Sequence, residues 1–502
     1  MTWARSWSRA WPAIGLVGLA SVSVLGYLGA SAAGGFVGFP LDDSWIHQTY
    51  ARNLAYRGEF AFVAGQPSAG STSPLWTFIL AIGYWLRIDY RVWTFGLGIA
   101  LLALNAWLVY RLVLRLWPGA GGAAMAAGVL VTVEWHLVWA AASGMETLLF
   151  SAGTLLVLVL DWPRYAGLAG LIAGLTVLAR PDGLILLPFL AARAWSSGRL
   201  SLASAARACL GFALLFVPYL LFNFRLSGSI WPNTFYAKQA EYAVLRQAPL
   251  LSRLGTVGAL PFVGVLVLLA PAIVVTAWRA ARRRQWEILI GLSWALTFIV
   301  AYALRLPVTY QYGRYLMPVI PVLAAIGMGG LAELIRPQSL KLGLRVVSRA
   351  WLLSVGLIAV AFWVLGAVRY TRDVQFIETE MVATARWVNA NTPPTALIAT
   401  HDIGALGYFS GRRILDMAGL VSPEVIPFIR DEARLGAWLD ISGAEYLVTF
   451  PSWYPELVSS LAAERVYVTG SPYSEAPGAE NMAVYRWRPT TGAISRSARR
   501  TP

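Results

Sequence analysis

Apolar residues in this chain come in long unbroken runs, not in the every-second-residue pattern of surface strands. Twelve runs read as helical membrane crossings: roughly Trp11–Gly34, Ser73–Leu86, Val92–Leu116, Gly119–Ala142, Thr147–Leu160, Ala166–Leu178, Leu184–Ala194, Ala203–Phe224, Leu254–Trp278, Trp286–Leu304, Tyr315–Ile335 and Ala350–Val368. A helix needs about 20 apolar residues to cross roughly 30 Å of hydrocarbon, and only helices or closed barrels satisfy their backbone there. After Val368 the pattern changes. Charges and prolines interleave with short apolar runs, and Ala396–Thr400, Tyr446–Phe450 and Ala483–Trp487 read as strands. Glu378–Asn389 and Ser422–Leu439 read as helices. The expected architecture is a polytopic α-helical membrane domain over 1–370 with 11–13 transmembrane helices. A small extracytoplasmic α/β domain over 371–487 and a basic, disordered tail over 488–502 follow it.

Charge placement orients the bundle. Arg193, Arg199 and Arg207 fill one short connection, Arg279 and Arg282–Arg284 a second, and Arg336, Lys341, Arg345 and Arg349 a third. Positive connections stay on the cytoplasmic side. The outer side then holds the loop 36–73, Ser143–Glu146, Arg180–Gly183, Arg225–Arg253, Arg305–Arg314 and everything after Arg369. One conflict arises. Thr72 and Ser143 both fall outside, yet three apolar segments separate them, so one of the three does not cross and the total is odd. Arg5 and Arg9, an apolar run and Ala30-Ser-Ala32 resemble a signal peptide; the spans that follow favour an uncleaved first helix.

Composition agrees with a membrane protein: 58% of the 502 residues are hydrophobic and 13% charged, against about a quarter charged in soluble domains. The net charge of +15 is explained by the arginine connections, and no basic aromatic module points to nucleic acid. Cys209 is the single cysteine, so no intrachain disulfide forms. No phosphate-cradling Gly loop, His/Cys metal cluster or Gly-x-Ser-x-Gly is present.

The candidate chemistry lies on the outer side. The first loop carries Asp42, Asp43 and His47; Ile46, Tyr50 and Leu54 recur every four residues, which predicts an amphipathic helix on the membrane surface. One Asp suits the helix cap; the second is available for catalysis or for a divalent ion. Glu146 is either an interface residue or a second active-site carboxylate. Arg180 suits a phosphate or pairs with Asp182. Asn233, Tyr236 and Lys238 lie in the long outer loop, and Arg314 stands at the mouth of a span. His401-Asp402 ends a strand of the outer domain; His136 lies within a span and reads as a packing residue.

These motifs, in this order, resemble the GT-C class of membrane glycosyltransferases. They lie nearest the bacterial branch of protein O-mannosyltransferases, lipid A aminoarabinose transferases and mycobacterial arabinofuranosyltransferases. The resemblance rests on Asp42-Asp43, Thr72-Ser-Pro-Leu-Trp76, Ser143-Gly-Met-Glu146, Ala179-Arg-Pro-Asp-Gly183, Pro232-Asn-Thr-Phe-Tyr-Ala-Lys238 and Gly313-Arg-Tyr-Leu-Met-Pro318. It implies a hexosyl- or pentosyltransferase of the bacterial plasma membrane. Its donor would be a polyprenyl-phosphate sugar, and its acceptor a cell-envelope glycan, glycolipid or protein. It further implies Asp42 as base, Arg180 and Arg314 on the donor phosphate, Glu146 as second acid, and inversion at the anomeric carbon. A transporter or flippase of lipid-linked sugars is the alternative, and a non-catalytic binding protein a third.

Overall fold

The computed structural model describes residues 2–488, apart from 163, 199, 336–340 and 475–479. Its helices begin with α1 (Thr2–Ala33), α2 (Asp43–Arg57), α3 (Pro74–Trp85), α4 (Tyr90–Leu116), α5 (Gly121–Val133), α6 (Trp135–Ala142) and α7 (Thr147–Val159). Next come α8 (Ala166–Ala179), α9 (Leu186–Ser196), α10 (Leu202–Ser227), α11 (Asn233–Glu241), α12 (Leu250–Ala259), α13 (Leu266–Arg283), α14 (Trp286–Arg305) and the short turn α15 (Tyr310–Gly313). The membrane part closes with α16 (Ile320–Leu334) and α17 (Leu342–Phe376). Six helical stretches are long and apolar enough to cross a membrane, and the bent pairs α5–α6 and α12–α13 raise this to as many as eight; α3, α7 and α8 are shorter apolar helices. α1 is an integral part of the bundle: Leu16, Ala20, Val24 and Tyr27 are fully buried against its neighbours α4, α5, α6 and α17.

The parity conflict has a structural answer in α3. Its 12 residues reach only about 18 Å, and both of its ends attach to α2. At the start, Ser71 Oγ lies 3.2 Å from Thr77 Oγ1 and 3.4 Å from His47 Nδ1. At the end, the Tyr84 hydroxyl donates to Gln48 Oε1 at 2.8 Å. α4 then begins on the same side, where Tyr90 packs on Phe39 and Trp45. The run Ser73–Leu86 read as a crossing therefore lies alongside α2. That leaves α4 and the bent pair α5–α6 between the two outer loops, an even number.

The far end of the bundle collects the arginines of the connections. Arg115 pairs with Glu287 at 2.7 Å, Arg283 with Glu333 at 3.3 Å, and Arg193 donates to the carbonyls of Val157 and Leu160 at the end of α7. Arg199 and Arg336 lie outside the described residues.

The outer domain continues from α17 without a break, so the expected boundary at 370/371 falls inside a helix. A π-helical stretch (Ile377–Val382) leads into α18 (Ala383–Asn391), and α19 (Gly404–Phe409), α20 (Glu432–Ser442) and α21 (Pro455–Ser459) follow. Two short strands in the first outer loop are β1 (Ala61–Val63) and β2 (Gln66–Pro67); the domain holds β3 (Leu397–Thr400), β4 (Arg413–Asp416), β5 (Tyr446–Thr449), β6 (Ala463–Val468) and β7 (Ala483–Trp487). The five form one sheet in the order β4-β3-β5-β7-β6. β3 runs parallel to β4 and β5, and β7 antiparallel to β5 and β6. β3, β5 and β7 fall on the three strands read from sequence; β4 and β6 were not anticipated. Of the tail expected over 488–502, residues 489–502 lie outside the described residues.

The domain sits tightly on the loop 36–73, and this corrects the expectation for α2. Nine residues of α2, among them His47, Gln48 and Asn53, are buried. α2 is enclosed between the bundle and the outer domain, not laid on an open membrane surface. Its polar residues are satisfied internally: Gln48 donates to Thr94 Oγ1 at 2.9 Å, and Asn53 to the carbonyls of Ala61 and Phe62. Glycines set the approach. A Cβ on Gly407 would fall 2.1 Å from the Phe62 ring, and one on Gly70 2.8 Å from the Leu420 carbonyl oxygen.

Candidate active site

The two acids of the first loop have different surroundings. Asp42 precedes α2 but its side chain does not cap it. Its carboxylate accepts the backbone N–H of Gly404 at 2.6 Å and of Ala405 at 2.7 Å. A Cβ on Gly404 would stand 2.1 Å from the Asp42 carbonyl oxygen, so only glycine allows this contact. Gly404→Ala is expected to loosen the domain from the loop, read as faster proteolysis between residues 391 and 423 with the bundle intact.

Asp43 points the other way. It accepts from Arg314 and, at 3.4 Å, from Lys238. The Tyr315 hydroxyl joins the group, 2.9 Å from Lys238 Nζ and 3.1 Å from Arg314 Nη2. α11 brings Lys238 inward one turn after Thr234, whose hydroxyl is bonded to the Gly70 carbonyl. A strained stretch aims Arg314: Gln311 and Tyr312 hold φ of 52° and 59°, a left-handed conformation that costs non-glycine residues about 1–3 kcal/mol each and gathers at functional sites.

A second group lies beside the first. Glu146 Oε2 is 3.4 Å from His47 Nε2, and Glu146 Oε1 is 4.0 Å from Arg180. Arg180 binds Asp182 at 2.5 Å, and the Tyr302 hydroxyl touches both. The loop carrying Glu146 is held on α2 and α3: Ser44 donates to the Ser143 carbonyl at 2.5 Å, and Trp76 to that of Gly144 at 2.8 Å. Tyr302 and Tyr315 stack at 5.6 Å and join the groups. Arg180, Lys238 and Arg314 all lie within 5.5 Å of the Tyr315 ring centre.

Asp42, Asp43, His47, Glu146, Arg180, Asp182, Lys238 and Arg314 thus gather in one region of the structure. Asn233 and Tyr236 do not join the two groups. Asn233 starts α11 and gives its N–H to the Ala69 carbonyl at 3.0 Å. Tyr236 is 37% exposed and packs on Phe235, because α11 turns residues 234 and 238 inward and 236 away. Tyr302 and Tyr315 were not anticipated, since a tyrosine at a span mouth reads first as an interface anchor. The outer domain's contribution was visible only as His401-Asp402.

The electrostatics follow from these contacts. Burial pushes the Asp42 carboxyl well above the usual carboxylate range, and nearby Asp402 adds to this. Burial would raise Asp43 too, but Lys238 and Arg314 overcome it and hold it ionised. Glu146 is lowered in the same way by His47 and Arg180, against its burial. Arg314 Nη1 is among the buried atoms of the described residues that have no hydrogen-bond partner. A cavity of about 410 Å³ is lined by Arg180, Asp182, Lys238, Tyr302 and Arg305 among apolar walls that include Ile185, Trp231 and Leu306. A divalent ion does not fit Asp42 and Asp43. Asp42 is taken by two N–H donors, and a cation on Asp43 would face two positive side chains. Among the described residues no group of three or more His, Cys, Asp or Glu is arranged to hold one.

The outer domain is clasped to α11. His401 Nε2 lies 3.1 Å from Glu241 and its Nδ1 2.8 Å from the Tyr454 hydroxyl, and Arg430 donates to the Glu241 carbonyl at 2.9 Å. Burial opposes the charged imidazole, but Tyr454 and Glu241 outweigh it, and His401 titrates well above its ordinary range. The stability this contributes is complete below the ordinary histidine value and is lost as pH rises through the raised one. Proteolysis near the domain junction is therefore expected to quicken only at alkaline pH, and at neutral pH already in His401→Gln.

Comparison with known proteins bears on the fold. A family model described as a domain of unknown function, DUF8728, matches residues 366–487. No curated protein matches the chain in sequence. Among solved structures, ArnT from Cupriavidus metallidurans bound to undecaprenyl phosphate superposes with a TM-score of 0.60 at 15% identity, covering 93% of this chain and 97% of its own. The oligosaccharyltransferase of Archaeoglobus fulgidus superposes with a TM-score of 0.61 at 13% identity, covering 88% of this chain and 70% of its own. The same enzyme tethered to an acceptor peptide gives 0.59 at 13% identity, covering 97% and 75%. The chain has a GT-C-type fold: a polytopic helical membrane domain followed by a small α/β domain.

Proposed function

We propose that the protein is a glycosyltransferase that moves a sugar from a polyprenyl-phosphate donor to an acceptor on the outer face of a bacterial plasma membrane. The observation that carries this reading is the placement of Arg180, Lys238 and Arg314 around one tyrosine, with Arg180 and Lys238 also lining a largely apolar cavity. Arg314 Nη1 is buried without a partner. Such a site suits a ligand with an anionic head and an apolar tail. Arginine is suited to phosphate because its donors form a planar fork, and cations fixed before the reaction need not reorganise as charge builds on the leaving group.

The chemistry follows from the acids. An acceptor hydroxyl or amine attacks the anomeric carbon and gives its proton to Asp42. The bond from that carbon to the phosphate oxygen breaks, and its electron pair leaves on the phosphate toward Arg314, Lys238 and Arg180. One displacement inverts the anomeric centre. Asp42 suits the base because burial lifts it toward neutral pH, where general bases work best. Asp43, held ionised by two cations, is a weak base and instead positions them. Glu146 and His47 sit where they can meet sugar hydroxyls. The ligands named in the related structures, undecaprenyl phosphate and an acceptor peptide, agree with a lipid-linked donor and with a glycan, glycolipid or protein acceptor.

Proteoliposomes loaded with a polyprenyl-phosphate sugar test the reading. Cleavage of the donor with label passing to a second molecule is expected. Movement of intact donor between leaflets, without cleavage, would replace the transferase by a flippase.

A further inference from the structure

The outer end of α17 touches three of the segments that carry the site. The Tyr370 hydroxyl lies 3.1 Å from the Gly38 carbonyl oxygen and 3.3 Å from that of Ala142. It thus reaches the stretch before Asp42 and the stretch before Glu146. Nearly one turn on, Asp373 accepts on both carboxylate oxygens. Oδ2 takes Trp139 Nε1 at 2.8 Å, and Oδ1 takes the Tyr312 hydroxyl at 3.0 Å. Trp139 is a buried residue of α6. Tyr312 belongs to the turn that leads to Arg314. Its ring meets those of Trp135 and Trp139 edge-on, at 5.1 and 5.7 Å, and Trp135 is itself fixed by a 2.8 Å bond to the Val263 carbonyl.

The turn is not one that its residues would adopt unaided. Gln311, Tyr312 and Gly313 hold φ of 52°, 59° and 69°. They are three successive left-handed residues, and only the last is a glycine. Such a run persists where its surroundings over-determine it. The consequence falls on Arg314. Its backbone N–H donates to the Gln311 carbonyl at 3.1 Å, and its guanidinium reaches Asp43 and the Tyr315 hydroxyl.

We propose that Asp373 is a positioning residue: through the Tyr312 hydroxyl it holds the left-handed turn 311–313 and so aims the Arg314 guanidinium at Asp43 and at the donor phosphate. The aim at the phosphate rests on the transferase reading; the hold on the turn does not. Without that bond Tyr312 relaxes toward the right-handed conformation that non-glycine residues prefer, and the backbone of Arg314 turns with it. A misplacement of about 1 Å can cost about 10²-fold in rate. α17 leads directly into the π-helical stretch that opens the outer domain. Arg314 is therefore aimed by the same helix that carries that domain.

The test uses the full-length protein in nanodiscs and two variants. Asp373→Asn leaves one acceptor oxygen for two donors, and Tyr312→Phe removes the hydroxyl while keeping the ring between the tryptophans. Amide hydrogen exchange over residues 309–316 reads the hold directly and needs no substrate. It is expected to quicken several-fold in both variants, and an unmoved rate in Tyr312→Phe overturns the proposal even if Asp373→Asn fails to fold. Activity and polyprenyl-phosphate binding read the aim. Each variant should lose about tenfold in kcat/KM, less than the about 10²-fold that a full misplacement can cost, and bind polyprenyl phosphate more weakly. In an Arg314→Gln background the same substitutions should change binding by less than about twofold, because residues that act through one another are not additive. An equal loss in both backgrounds would make Asp373 a support of the fold alone and overturn the proposal, as would wild-type kcat/KM in Tyr312→Phe. A wild type that neither binds polyprenyl phosphate nor cleaves its sugar would count against the transferase reading, and the exchange measurement would still decide the hold.

Discussion

Asp42→Asn is expected to slow sugar transfer by a factor of about 10²–10⁴, the usual loss when a general base is removed. The reason is specific to this site. Among the acids of the site, Asp43, Glu146 and Asp182 are each paired with a cationic side chain. Asp42 is held by two amide N–H groups instead and is lifted by burial and by Asp402, so it is the acid poised to take a proton near neutral pH. The substitution also has a structural cost. Asn offers one acceptor oxygen where Asp offers two, so its NH2 would face one of the two N–H donors. Leaving a buried amide unsatisfied costs about 1–3 kcal/mol. Purified Asp42→Asn should therefore show a lower unfolding temperature together with its lost activity. The diagnostic result is that the activity loss persists below the unfolding transition, where the variant is folded. Activity within a few-fold of wild type would remove Asp42 from the base role.

The second large effect is expected at Arg314. Arg314→Gln should lower kcat/KM by a factor of about 10²–10³, the range for removing one preorganised donor from developing negative charge. Arg314 would do two things at once: Nη2 holds Asp43 and Tyr315, and Nη1, buried without a hydrogen-bond partner, is the donor the proposed phosphate would take. Arg314→Lys should keep the pairing with Asp43 but lose the fork, and so recover only part of the activity. Binding of polyprenyl phosphate, followed by native mass spectrometry, should weaken in the same order. Unchanged binding in Arg314→Gln would place the phosphate elsewhere.

That these residues belong to one end of the bundle was legible because two signals needed no partner: apolar runs of about span length, and arginines in alternate connections. The partners themselves were not legible. Asp43 and Arg314 are 271 residues apart in sequence and Asp43 and Lys238 are 195 apart. Adjacent acids with opposite environments look alike until the domain that separates them is in place. The resemblance pointed to Asp42, and it is the amides of Gly404 and Ala405 that explain why that acid differs from its neighbour.

Other misreadings share this cause. The run Ser73–Leu86 has the composition of a span; in the structure it is a 12-residue helix tied to α2 through Ser71 and Tyr84. α2 reads as a surface helix from the spacing of Ile46, Tyr50 and Leu54, whereas Gln48 and Asn53 on it are buried and satisfied by Tyr84, Thr94 and the β1 carbonyls. β6 escaped notice because Glu464 and Arg465 break its alternation at the edge of the sheet. In α11 the sequence offers Asn233, Tyr236 and Lys238 alike as candidates of a long loop. Its 3.6-residue period, applied from Thr234, would have separated Lys238 from Tyr236.

The most direct measurement is single-turnover release of polyprenyl phosphate by the purified protein. The protein would be mixed with a set of polyprenyl-phosphate pentoses and hexoses and an envelope extract as acceptor, and the lipid product weighed by mass spectrometry. The account predicts that one donor yields free polyprenyl phosphate in step with a glycosylated acceptor, and that this release falls by about two orders of magnitude or more in Asp42→Asn and Arg314→Gln. Release from no donor, or release that both variants sustain at the wild-type rate, would contradict it.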